Sequence, residues 1–64
     1  VSIEDAISGD LAFFGNEQIN HVGIIYNKNY IVHCSGRVRI DKIDSDGIFN
    51  GEVYSHNLKT IKRL

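Results

Sequence analysis

Sixty-four residues with seven Lys and Arg against eight Asp and Glu carry a formal net charge of −1, which lacks the broad electropositive footprint of a nucleic-acid binder. A chain of this length buries only about 60% of the surface its unfolded form exposes, so one domain is the ceiling. Its core must come from Val, Ile, Leu, Phe and Tyr, because there is no Trp and the single cysteine has no disulfide partner.

Ser2-Ile3-Glu4-Asp5 reads as an N-cap with an acid three residues on, opening one or two helical turns that Gly9 ends. Gly9-Asp10 turns into Leu11-Ala12-Phe13-Phe14, a run too brief for a helix and therefore a buried strand. Asn16 to Asn20 is a loop. His21 to Tyr26 and Tyr30 to Ser35 are β-rich runs about Asn27-Lys28-Asn29, which predicts a β-hairpin. Arg37-Val38-Arg39-Ile40 alternates with period two, as a half-buried strand does. Asp41 to Gly51, rich in Asp, Ser, Gly and Asn, reads as a surface loop with at most one helical turn. Leu58 to Leu64 reads as a closing strand, since Thr60 and Ile61 are β-branched. The longest apolar runs, such as Val22 to Tyr26, fall far short of the ~20 residues that cross a bilayer, so no membrane span is expected. The opening Val-Ser-Ile, with no leader, reads as part of a longer protein.

With Asn27-Lys28-Asn29 as a three-residue loop, Tyr26 faces Tyr30, Gly23 faces His33, and His21 faces Ser35. Side chains two apart share a face, so His21, Gly23, His33 and Ser35 point the same way, with an open space over Gly23 between two diagonal histidines. Cys34 goes to the opposite face with Val22 and Val32, as a small core hydrophobe shielded from alkylation. Spacing alone does not separate a catalytic pair from two ordinary half-buried histidines. A zinc site from His21, His33 and Cys34 fails because Cys34 faces away and no further ligand cluster is apparent, so neither metal nor cofactor is expected. Ser35 lacks the strained elbow that exposes a catalytic serine.

Gly9-Asp10-Leu11-Ala12-Phe13-Phe14, His21-Val22-Gly23-Ile24-Ile25-Tyr26 and Ile31-Val32-His33-Cys34-Ser35-Gly36 resemble, in order, three strand motifs of the NlpC/P60 family. Members of that family hydrolyse peptide bonds in bacterial cell-wall stem peptides with a cysteine nucleophile. The resemblance implies that residues 1–64 are the carboxy-terminal part of one catalytic domain. The implied fold is α+β: the antiparallel sheet half of a papain-like domain, without its nucleophile-bearing helix. It makes His21 the catalytic base and His33 the polar residue that orients the imidazole. The family's Asp-Cys-Ser-Gly nucleophile motif is missing, and Cys34 stands where relatives carry Ala or Ser, so the chain alone is expected to be inactive. Ser8 replaces a common Pro, a change of loop stiffness.

Ser35 to Ile40 is further similar to the subgroup that cleaves γ-D-glutamyl bonds (γ-D-glutamyl-L-diamino acid endopeptidase, dipeptidyl-peptidase VI). Ser35, Arg37 and Arg39 are then candidates to meet a substrate carboxylate, although alternating arginines also make an ordinary solvated face. The implied partners are a peptidoglycan stem peptide and the missing amino-terminal half of the domain, and the implied place is a bacterial envelope, periplasm or exterior. Apolar surface left bare by that half would favour self-association. The competing readings are a non-catalytic module that binds wall peptide or protein on the same fold, and a metal-binding mini-domain.

Overall fold

The computed structural model describes residues 1–27 and 29–64. Six antiparallel strands, β1 (Leu11–Phe14), β2 (His21–Asn27), β3 (Tyr30–Cys34), β4 (Val38–Asp44), β5 (Gly47–Asn50) and β6 (Val53–Lys62), follow one another as a meander. β1 pairs with β2 on one side and with β6 on the other, so the sheet closes into a barrel. Alternation drives one side chain in two inward, where Ala12, Phe14, Ile25, Ile31, Ile43, Ile48 and Ile61 pack together with Ala6.

This overturns the α+β expectation. Among the described residues there is no α-helix, only a 3₁₀ turn at Ile3–Asp5, so this is not the sheet half of a papain-like domain. The strands enclose their own inner face and need no helix to cover it. The expected amino-terminal helix stops after one turn because Ala6 is already extended, at φ −66° and ψ 138°, and so short a helix lacks a stable nucleus. Ser2 caps no backbone group; its hydroxyl donates to Asp5 at 3.1 Å. None of the described helical residues forms a helix long and apolar enough to cross a membrane.

The hairpin forms with Gly23 opposite His33, as expected, but an irregularity between Ile25 and Asn27 pairs Tyr30 with Asn27 rather than with Tyr26. Lys28, in the expected turn, lies outside the described residues. His21 and Ser35 do not pair: β3 ends at Cys34, and the Ser35 N–H turns back to the Arg37 carbonyl at 2.9 Å. The segment read as a surface loop is instead the end of β4, a turn at Ser45-Asp46, and β5. Buried Ile43 and Ile48 face one another there, and the Asp44 carboxylate accepts the Asp46 N–H at 2.8 Å to shape the turn.

Cys34 does take the face opposite His33, but that face is the outside of the barrel, and the thiol is exposed. It adjoins an apolar band in which Leu11, Ile24, Val32 and Ile40 sit side by side on four strands. Ile24 and Ile40 there are 51% and 58% exposed. A thiol reagent at neutral pH is therefore expected to label Cys34 in the folded chain as fast as in urea; protection by ten-fold or more would contradict the outward orientation.

Where β1 and β6 meet, the Asp10 carboxylate is buried and accepts from Arg63 Nε and Nη2 and from the Ile7 N–H, each at 2.9 Å. The Arg63 guanidinium first, and the Ile7 N–H second, hold its pKa down at about 2 against an ordinary 3.8. A carboxylate depressed in the folded state contributes stability that is complete above about pH 4 and is lost as pH falls through 2. Thermal melts at pH 5 and pH 2 should show a smaller loss in Asp10→Asn than in the natural chain. An equal loss would mean that acid acts elsewhere.

Candidate active site

Three histidines converge where β1 stops and β2 begins. His21 opens β2 opposite Phe14, His33 lies on β3 opposite Gly23, and His56 lies on β6 opposite Ile48. His21 Nε2 is 2.9 Å from His33 Nδ1, and His33 Nε2 is 2.7 Å from Asp41 Oδ2. The His56 ring stacks on His21 at 3.9 Å between centroids and 20° between planes, and Phe14 lies against both rings. Here the barrel interior turns polar, and His33 is just 5% exposed.

Gly23 is what lets these rings pack. A Cβ there would come within 2.6 Å of Ile31 Cδ1 and 3.1 Å of His33 Cβ. The expected open space over Gly23 is therefore occupied by the Ile31 side chain.

Proton positions follow from the partners. Burial pushes the Asp41 carboxyl up, but hydrogen bonds from His33 and Arg39 outweigh it and hold its pKa below the ordinary value. An ionised carboxylate only accepts, so His33 Nε2 carries a proton and donates it. In the neutral ring Nδ1 is then a lone pair, which accepts from His21 Nε2–H. Burial first, then repulsion from His56 and His33, lowers the His21 pKa, so at neutral pH its Nδ1 is a bare lone pair. No described residue hydrogen-bonds to that atom. A chain from Asp41 through His33 thus fixes the His21 tautomer and leaves one basic nitrogen free.

His56 is likewise shifted down, by burial and then by His33, against a smaller opposing pull from Asp41. Its Nδ1 is 2.8 Å from the Ser55 hydroxyl.

The remaining sequence candidates divide. Arg39 is committed to Asp41, with Nε 2.7 Å from Oδ2 and Nη2 3.3 Å from Oδ1. Ser35 and Arg37 are exposed in the bend between β3 and β4. A groove of about 350 Å³ lined by Ile3, Glu4, Asn29, Ile43, Asp44 and Ser45 contains no histidine or thiol.

Sequence reasoning missed Asp41 and His56. Extending the period-two pattern of Arg37 to Ile40 by one residue would have set Asp41 on the face of Arg39. Nothing local announced His56, because its neighbours come from β1 and β2.

No curated protein and no solved structure matches the chain. The family model of the NlpC/P60 family, whose members are generally cysteine peptidases, matches residues 1–57. With that match over most of its length and the three motifs on successive strands, the chain belongs to the NlpC/P60 family.

Proposed function

We propose that residues 1–64 are the carboxy-terminal part of one catalytic domain in a bacterial cell-wall cysteine peptidase that hydrolyses γ-D-glutamyl bonds of stem peptides. The observation that carries this reading is the Asp41–His33–His21 chain ending in an unpartnered Nδ1. His21 is the base that takes the proton of a cysteine thiol and returns it to the leaving amine, and His33 orients it. The thiol comes from the amino-terminal half of the domain, since Cys34 lies on the opposite face. The apolar band of exposed Ile24 and Ile40 with half-buried Val32 between them supports the view that this half packs on the barrel. With Arg39 held by Asp41, Arg37 and Ser35 are the better candidates for the substrate carboxylate.

The test joins the chain behind a segment carrying the family's Asp-Cys-Ser-Gly motif and supplies a γ-D-glutamyl peptide. Cleavage that iodoacetamide abolishes is expected from the joined protein and none from the chain alone. A folded joined protein that binds the peptide and leaves it intact would replace this reading with that of a non-catalytic wall-binding module.

A further inference from the structure

The coordinating nitrogens of His21, His33 and His56 all lie within 4.8 Å of one another. A tetrahedral ion with bonds of about 2.0–2.1 Å holds its imidazole nitrogens about 3.3 Å apart. We propose that these three side chains form a binding site for a divalent transition cation of the zinc class, with a water or an incoming thiolate in the fourth position.

The donor set selects the ion. Three neutral imidazoles and no ligating carboxylate suit zinc, nickel or copper and do not suit calcium or magnesium. The surroundings are those of a supported ligand: His33 is buried, and its far nitrogen is bonded to the Asp41 carboxylate at 2.7 Å. Such a carboxylate fixes the ring and raises its basicity toward a metal.

The geometry also states what must move. His21 Nε2 and His33 Nδ1, 2.9 Å apart, need only part by a few tenths of an ångström. His56 moves further, because a ring's lone pair lies in its own plane and two stacked rings do not aim at one ion. It must swing off His21 to bring Nε2 round. The half-buried His56 ring has one side-chain hydrogen bond to release, that with exposed Ser55.

Metal binding at Nε2 of His21 moves the ring proton to Nδ1, the nitrogen that the peptidase reading needs bare. The consequence for catalysis rests on that reading and makes the ion a reversible inhibitor. The binding itself does not depend on it.

The experiment titrates the folded chain with zinc chloride near neutral pH, measuring heat and the ring nitrogen signals of all three histidines. One ion per chain is expected, with all three rings perturbed. His56→Phe keeps an aromatic ring on His21 and removes the ligand, so affinity should fall by more than about 100-fold. Asp41→Asn should cost about 10- to 100-fold, and Cys34→Ser nothing. Absence of stoichiometric binding, undiminished binding in a folded His56→Phe, or loss of binding in Cys34→Ser would overturn the proposal.

Discussion

His21→Ala is expected to lower thiol-dependent kcat/KM on a γ-D-glutamyl peptide by about 1,000-fold or more in a protein that supplies the nucleophile. The unpartnered Nδ1 is the nitrogen that the tautomer chain leaves free to accept a proton. His33→Ala should cost less, because base and thiol remain while the His21 ring loses its partner and Asp41 keeps only Arg39. His33→Asn and His33→Gln should retain more activity than His33→Ala by offering a polar atom to Nε2 of His21. Cys34→Ser should leave kcat/KM within about two-fold, since that side chain is on the outside of the barrel. The comparison is made with folding checked by circular dichroism. An active His21→Ala beside a dead Cys34→Ser would reverse both assignments.

Gly47→Ala should unfold the barrel at room temperature or bring it close to unfolding. Gly47 has φ +148°, and a Cβ there would overlap the backbone carbonyl oxygen of His56 and stand 3.1 Å from Asn57 Cα. Those atoms belong to β6, and Gly47 pairs with Asn57 in its ladder, so relief requires parting two strands. A loss above about 3 kcal/mol is expected, against a total of about 3–10 kcal/mol for a domain of this size. Gly51 is the control: its φ is also positive, at +68°, but nothing lies within 4 Å of a Cβ there. Gly51→Ala should cost about 1 kcal/mol from backbone strain alone. Similar melting temperatures for the two variants would show that β6 yields at His56 without cost.

How far these features could be read in advance depends on how local they are. The β2–β3 hairpin was legible because β-branched runs flank a turn of Asn residues, and the Gly23 to His33 register followed from it. Barrel closure was not, since β1 meets β6 only through packing of residues far apart in sequence. Asp41 to Gly51 misled because its polar composition outweighed two isoleucines, and those two, Ile43 and Ile48, are the buried ones. Alternation assigned Cys34 to the correct side of β3 without revealing which side of the sheet is covered. His21 and His33 were singled out as candidates by the hairpin and the family motifs, and their ring nitrogens lie 2.9 Å apart. Asp41 and His56, which set the tautomer and add the third imidazole, depended on a strand boundary and on closure.

The junction of β1 with β6 also governs how the molecule assembles. Its partners, such as Leu11 with Lys62, are about fifty residues apart along the chain. Bringing them together costs about 2 kcal/mol more in loop-closure entropy than turning a hairpin of a few residues. The hairpins can therefore precede it, and the joining of first strand to last becomes the slow event of folding. Arg63 and Asp10 clasp across this same junction, with Nη2 2.9 Å from Oδ2. A contact made that late slows unfolding more than it speeds folding. The clasp thus acts chiefly on how long a closed barrel stays closed.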